Sequence, residues 1–588
     1  MKSACLLSAM LCWTLGVADA NGGTGGSVRA KVLPDPAALK VNEGRLIGFE
    51  NPLPRMKMGE HRCGTYNNLE LSLPGMLSTE DARLGLFLQK LRSTIFDTRR
   101  MLFIDGRRVV CCHNWIRDHV QQMKGWKHWE YRPADFLDFI IETQRADGQF
   151  FELVKQMDDY HWTYVEEDSY RLYPEDNLSL VRLDLEADVE YLVVEGAWQY
   201  YRMIGDDQWL EKALPRLEKG IDYQTSDVWR WEPSLGLCIR PYTIDTWDFT
   251  NDKSSQRDRR VRNKPLCAMH GDNTGVYQAM NQLAWFNERL GRSAKAAAWR
   301  SRAAKLRENI MKHLWNGRFF IHQLPVRGAV ALDDKERERL SLSDAYALNR
   351  GILSEAESQS VIDAFRERGR TSGTFAEWFT VDPPYEPKFQ TYEPGQYVNG
   401  AISPFTAGEL AKGAFSHGRE KYGWDIIRRW VDKLEKDGDI YFLYNRTTGA
   451  SVSESAGPSA WGAAALMDAV EEGLAGIHDA DVKYRKIVFS PRWAVTPYRE
   501  GRYLTGYELS DVTVDCRWIF TDRGFRYRLV SPAEEVAARL LVPEGKVAKK
   551  VLVNGVEVGF NEIKSDESTY VELTAKNLTG ILEIEALY

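Results

Sequence analysis

The chain has 588 residues, 44% of them hydrophobic and 27% charged, with a formal net charge of -7. That length favours more than one core, the balance is that of an ordinary soluble protein, and no long Lys/Arg-rich run offers the basic face a nucleic acid needs. Most aromatic residues serve a core, but 12% aromatic content with 19 Trp leaves an excess that favours a carbohydrate site, because indole faces stack on the C–H faces of sugars.

The N-terminus reads as an export signal. Lys2 supplies positive charge, Ala4 to Ala18 is apolar but too short to anchor, and Ala18-Asp19-Ala20 is a small-residue cleavage site. Residues 1–20 are therefore expected to be removed, giving a secreted or periplasmic protein starting at Asn21. No later stretch is apolar enough to span a membrane. Six cysteines then remain, Cys63, Cys111, Cys112, Cys238, Cys267 and Cys516. They permit disulfides but are too sparse for a framework. Cys111-Cys112-His113 lacks a second ligand pair at a zinc-like spacing, so neither a metal nor a cofactor is expected.

Residues 21–78 read as an N-terminal extension. From 79 to 485 helical periodicity dominates, with apolar residues near i, i+3, i+4 and i+7. It predicts helices over Glu80–Met101, Pro133–Ala146, Leu183–Ile204, Asp207–Thr225, Asn273–Leu290, Ser293–Leu314, Leu340–Asn349, Glu355–Arg366, Phe405–Ser416, Gly418–Lys436 and Ser459–Leu474, with a further one near Trp115. Three pairs reverse at Gly205, Gly291 and Gly418, where glycine permits a left-handed cap and a tight turn. Twelve helices in repeated hairpins predict an (α/α)6 toroid. The alternative, an open solenoid, would show more regular repeat lengths. Residues 486–588 change texture. Short Val-, Ile-, Leu- and Tyr-rich runs and the hairpin turn Asn554-Gly555 predict a small C-terminal all-β sandwich.

Polar and aromatic clusters fall in the excursions between hairpins. They are His113 to Asp118, Arg240 to Phe249, His270 to Asn273, Phe375 to Trp378, Tyr397 to Gly400, and Ser453 to Gly457. Several lie just before a predicted helix, so helices alternating up and down a ring would bring all six to one mouth.

These clusters carry a family resemblance. Thr246-Trp-Asp-Phe-Thr250 resembles the Gly-Trp-Asp-Phe-Ser segment of trehalases and processing α-glucosidases, and Glu454-Ser-Ala-Gly457 with Ser459-Ala-Trp-Gly462 resembles their Glu-Gly-Phe-Gly-Trp segment. His270-Gly-Asp-Asn-Thr-Gly-Val-Tyr277 resembles a helix start of amylo-α-1,6-glucosidase-like proteins. Tyr397-Val-Asn-Gly-Ala-Ile-Ser-Pro404 resembles their Tyr-x-Asn-Gly-Gly-x-x-Pro loop. Together, over residues 80–480, they resemble the six-hairpin glycosidase superfamily. The resemblance implies an exported glycoside hydrolase, inverting and exo-acting on a terminal α-linked sugar of an oligo- or polysaccharide. It implies Asp248 as general acid and Glu454 as general base.

The residue types suit that chemistry. Glycoside cleavage needs one carboxylic acid to protonate the leaving oxygen and a second carboxylate acting on the opposite face. Asp248, between Trp247 and Phe249, is flanked by apolar groups that raise an acid's pKa, whereas Glu454 sits among serines that keep it ionised. Glu377 is the reserve carboxylate. Arg117 and Asp118 form a structural ion pair or grip a terminal sugar. Trp115, Trp247 and Trp378 are sugar platforms or core. His270, Asp272, Asn273, Tyr397 and Asn399 are substrate contacts, with Asn273 and Asn399 also read as caps. Two other readings stand beside this one. A polysaccharide lyase on the same toroid would recruit His270 and Arg240, and a sugar-binding protein would have lost catalysis.

N-terminal sequencing of the exported protein should begin at Asn21. A sequence beginning at Met1 would rule the export reading out.

Overall fold

The helical periodicity becomes twelve α-helices among the described residues. The computed structural model describes residues 47–48, 75–157, 169–241, 260–331, 333–452, 457–566 and 568–588. In chain order the helices are α1 (Arg83–Phe96), α2 (Ile116–Trp126), α3 (Asp135–Glu142), α4 (Val189–Ile204), α5 (Asp207–Gln224) and α6 (His270–Arg289). They continue as α7 (Ser293–Leu314), α8 (Leu342–Ala347), α9 (Glu355–Thr371), α10 (Pro404–Ser416), α11 (Glu420–Asp437) and α12 (Ala460–Asp468).

The even-numbered helices form an inner cycle. Helix α2 packs on α4, α4 on α6, α6 on α8, α8 on α10, α10 on α12, and α12 returns to α2. The odd-numbered helices lie against this cycle: α5 touches α4 and α6, α7 lies on α6, α9 on α8 and α10, and α1 on α12. An open solenoid has no such return contact. Burial follows the layers. Every residue of α12 is buried, whereas α7 buries only a stripe through Ala296, Trp299, Ala303, Leu306, Ile310 and Leu314. That stripe is the one-sided pattern of an outer helix.

The hairpin turns form as their glycines predict. Gly205, Gly291 and Gly418 all have positive φ. After Gly205, the Asp206 side chain accepts hydrogen bonds from the backbone N–H of Gln208 and Trp209 and caps α5.

Several boundaries differ from the periodicity. Helix α1 stops at Phe96, and Arg100–Ile104 pairs with Arg107–Cys111 across Asp105-Gly106, both at positive φ. This two-residue turn overrides the apolar run that read as helix to Met101. Helix α4 starts at Val189, so the acid-rich stretch from Leu183 to Asp188 is its entry loop. Helix α6 starts at His270, so His270, Asp272 and Asn273 lie in its first turn. After Asp468, α12 continues as a π-helix over Ala469–Leu474. The five described cysteines, Cys111, Cys112, Cys238, Cys267 and Cys516, are free and buried, so the disulfides that the even count permitted do not form among them. No described helix is long and apolar enough to cross a membrane.

The C-terminal strands build a seven-stranded and a five-stranded sheet. The first recruits Met76–Thr79, which pairs with Glu500–Tyr507, and the second recruits Ile477–Asp479 on Lys486–Phe489. Both recruits lie outside 486–588. Asn554 and Gly555, both at positive φ, make the predicted turn between Lys550–Val553 and Val556–Val558. Buried contacts fix the sheets on the ring. His128 Nε2 lies 2.9 Å from Glu471, His128 Nδ1 lies 2.9 Å from the Gly506 carbonyl, and Arg492 Nε donates to the Phe415 carbonyl at 2.9 Å.

The inner helices approach closely at Gly408. A Cβ there would meet the Ala465 carbonyl carbon of α12 at 2.5 Å. Gly→Ala inside a helix ordinarily gains about 0.5–1 kcal/mol. Here Gly408→Ala should instead cost about 1–3 kcal/mol through overpacking, measured by urea unfolding.

Candidate active site

The first turns of the inner helices meet at one mouth. Arg117 in α2 reaches Glu186 and Asp188 in the loop before α4. Arg240 reaches Glu186 and Asp272, the latter in the first turn of α6. His270 Nε2 lies 2.9 Å from Ser341 Oγ, directly before α8. Phe405 of α10 stacks on Trp461 of α12 at 4.7 Å, and Trp461 Nε1 donates to Tyr346 OH of α8 at 2.9 Å.

A cavity of about 370 Å³ opens at this mouth. Its described wall is made by Thr98, Arg100, His113, Trp115, Arg117, Asp118, Gln122, Tyr397 and Phe442, and by Gly457 through Trp461. It joins aromatic faces to a carboxylate, a guanidinium and an amide, the combination that holds a polyhydroxylated ligand. Asp118 Oδ2 stands 3.9 Å from His113 Nδ1, which accepts from the Trp115 backbone N–H at 3.2 Å. Tyr397, at φ 41, packs on Tyr392 at 5.1 Å.

Beneath the cavity lies a buried charge network. Arg117 Nη2 donates to Glu186 Oε2 at 2.5 Å and to Asp188 Oδ1 at 2.8 Å, and its Nε also bonds Asp188. Arg240 Nη2 donates to Glu186 at 3.0 Å, and Arg182 Nη2 to Glu190 at 3.1 Å. Burial works against the Arg117 charge, but Asp188 and Glu186 outweigh it and raise its pKa. Burial likewise opposes the Asp188 charge, yet Arg117 holds its carboxyl below the usual range. Glu152 goes the other way. Burial, then the negative charge of Glu186, push it well above the ordinary carboxylate value, although Arg117 lies 3.7 Å away.

Of the residues singled out in the sequence, Trp115, Arg117, Asp118 and Tyr397 come together on the cavity. Trp247, Asp248 and Glu454 lie outside the described residues. The others have different surroundings. His270 stacks on Phe320 at 5.2 Å, and Asp272 pairs with Arg240. Asn273 clips α6 to the Leu237–Cys238 strand: its Oδ1 accepts from Cys238 N, and its Nδ2 donates to the Cys238 and Met269 carbonyls. Glu377 accepts from Tyr422 OH at 2.7 Å and from Arg429 Nη1 at 2.9 Å, and Trp378 stacks on Trp430 at 5.1 Å. Asn399 ties its own loop through Tyr385 N and the carbonyls of Tyr385 and Tyr392. Sequence reasoning missed Glu152, Arg182, Glu186 and Asp188. The available signal was Asp184, Glu186 and Asp188 directly before an apolar helix, which periodicity absorbed into that helix.

Residues 113–460, more than half of the chain, match the mannosylglycerate hydrolase MGH1-like glycoside hydrolase domain. The chain belongs to this family. The MGH1-like chain thus stands among the six-hairpin glycosidases that its motifs resemble. Its fold is similar to that of α-L-rhamnosidase from Dictyoglumus thermophilum, at 12% identity and TM-score 0.55 over 87% of this chain and 50% of that one. Streptomyces avermitilis α-L-rhamnosidase, solved with L-rhamnose, matches at 13% identity and TM-score 0.53, over 87% and 42%. A rhamnosidase of Bacillus sp. GL1 matches at 14% and 0.53, over 79% and 42%. The MGH1-like chain spans half or less of these proteins' length, and at such identities the likeness is one of fold. No curated protein matches it by sequence.

The charge network gives two opposite predictions. Asp188→Asn removes the main counter-charge of a buried arginine and should cost about 3 kcal/mol at neutral pH. Because the folded pKa of Asp188 is lowered, its contribution is present above the unfolded value of about 3.9 and is lost as pH falls through the folded value. The gap between wild type and variant should therefore close in acid. Glu152→Gln copies a neutral carboxyl and should lie within about 1 kcal/mol of wild type below about pH 4, where the carboxyl is protonated in both folded and unfolded states. With its folded pKa raised, the stability contributed by Glu152 is lost as pH rises, so the variant should gain on wild type toward alkaline pH. Urea unfolding across pH measures both.

Proposed function

We propose that this MGH1-like protein hydrolyses a terminal α-linked sugar of an oligo- or polysaccharide with inversion, after export, and that residues 79–485 form its catalytic ring and 486–588 a β domain. The observation that carries this reading is the cavity at the ring's mouth. Trp115, Arg117, Asp118 and Tyr397 converge on it, and its wall runs through Gly457 to Trp461, closely following Glu454 in sequence.

In this reading Trp115 and Tyr397 offer faces to the ring C–H groups, while Asp118 accepts from sugar hydroxyls. Arg117 is held rigid by Asp188 and Glu186, so it fixes the first turn of α2 that presents Asp118. Asp248 gives its proton to the glycosidic oxygen as the C1–O bond breaks. Glu454 takes a proton from a water, whose oxygen bonds to C1 from the opposite face. In an inverting enzyme the two carboxyls stand about 6.5–9.5 Å apart to admit that water. The lyase alternative drew on His270 and Arg240. His270 is bonded at Ser341 and stacked on Phe320, and Arg240 is paired with Glu186 and Asp272. Hydrolysis should accordingly give no unsaturated, ultraviolet-absorbing product.

Asp248→Asn should lower turnover of a substrate with a poor leaving group by about a hundredfold or more, while an activated aryl glycoside is partly spared. Glu454→Gln should depress both substrates alike. Product NMR should show the anomeric configuration inverted. Retained configuration, or near-normal turnover by Glu454→Gln, would sink the assignment.

A further inference from the structure

The ring has a second cavity, at the end opposite the mouth, where the inner helices finish. It too encloses about 370 Å³. All six inner helices contribute to its wall, and the strand domain closes part of it with His478 and Tyr507. It opens to solvent beside the exposed Gly351. It is distinct from the mouth: Trp461 lines the upper cavity and Tyr346 the lower one, and their 2.9 Å hydrogen bond lies between the two.

The lining charges of the lower cavity are already matched. Lys124 bonds Glu409, Lys412 bonds Asp468 and Glu472, and Lys127 lies 3.4 Å from Asp468. Arg350 donates to the Gly271 carbonyl and Thr274 Oγ1, each at 2.8 Å, and Arg202 donates to the Asp479 carbonyl. Among the described residues each of these cations therefore has a partner, although the buried Arg202 Nε is left without an acceptor. With Asp479 beside Arg202, the five cations face five carboxyls, Glu195, Glu409, Asp468, Glu472 and Asp479, so the count calls for neither an anionic nor a cationic ligand.

Two acceptors on α4 also remain. Glu195, only 8% exposed, faces the cavity with no hydrogen-bond or ion-pair partner among the described residues. One helical turn on, Gln199 carries a buried amide oxygen that accepts nothing. The buried Gln199 oxygen left without a donor is costly, and with the cavity-facing Glu195 carboxyl it makes a pair complementary to a molecule that brings hydroxyl hydrogens. Trp198 and Tyr346 supply apolar faces beside them. Burial raises the Glu195 carboxyl above its usual range despite Lys124 and Arg350 nearby, which agrees with a desolvated group awaiting a neutral partner.

We propose that this lower cavity is a binding site for a small uncharged polyol or monosaccharide, held by hydrogen bonds to Glu195 and Gln199. The occupant is separate from the substrate at the mouth, and the proposal does not depend on what the mouth cleaves.

Titration of the full chain with xylitol, followed by saturation-transfer NMR, tests it. The wild type should bind saturably. Glu195→Leu and Gln199→Leu should each weaken binding about tenfold or more, the loss of one hydrogen bond to a buried acceptor. Trp115→Ala at the mouth should leave it unchanged. No saturable binding by the wild type, undiminished binding by both folded lower-cavity variants, or loss in Trp115→Ala would overturn the proposal. Because a buried substitution can unfold the chain, hydrogen exchange on the wild type gives a second test. Xylitol should slow exchange around residues 195–202 and 346–351. Slowing around 113–118 instead would place the polyol at the mouth and overturn the assignment.

Discussion

The pairing of Arg117 with Asp188 and Glu186 is the interaction on which the mouth of the ring depends. A guanidinium buried at the first turn of α2 is costly without counter-charges, and those counter-charges come from the loop before the next inner helix. Glu186 then passes the connection to Arg240, and Arg240 to Asp272 in α6. Three successive inner helices are thereby held in register at their N-terminal ends. The network contains Arg117, Arg182 and Arg240 against Glu152, Glu186, Glu190, Asp188 and Asp272. Among the described residues its carboxyls outnumber its guanidiniums, and burial together with the negative charge of Glu186 pushes the Glu152 carboxyl well above its ordinary value.

On the other side of the ring the register is set by packing. Phe405 lies on Trp461, Trp461 bonds Tyr346, and Gly408 lets α10 press against the backbone of α12. A ring closed by charge on one arc and by aromatic and glycine contacts on the other leaves space along its axis at both ends. The upper space meets the entry loops, which carry chemistry-bearing side chains. The lower one meets the helix ends and the strand domain, and is lined in part by the ion pairs of Lys124, Lys127 and Lys412.

The strand domain belongs to the ring's support. Its seven-stranded sheet includes Met76–Thr79, the strand leading into α1, so the chain segments on both sides of the ring meet in one sheet. His128, between α2 and α3, meets Glu471 and the Gly506 carbonyl, and Glu471 also receives Tyr484 and Tyr503. Such buried, mutually satisfied groups hold the two layers in one arrangement.

Local pattern was enough for the helices and most of the strands. The 3.6-residue apolar stripe, the left-handed glycines at Gly205, Gly291 and Gly418, and the Asn554-Gly555 turn act within a few residues, so they are legible in sequence. The same is true of Trp115, Arg117, Asp118 and Tyr397, which stand in polar clusters beside helix starts. Ring closure is a contact between α2 and α12, helices hundreds of residues apart, and no local period encodes it. Nor does one encode that Glu377 and Asn399 face Arg429 and Tyr385, because a carboxylate or amide in a loop looks the same whether it meets a ligand or a neighbouring helix. Glu186 and Asp188 were hidden for the converse reason. Their spacing fits a helix start, and only the arrival of Arg117 from the preceding hairpin makes them the counter-charge of the mouth.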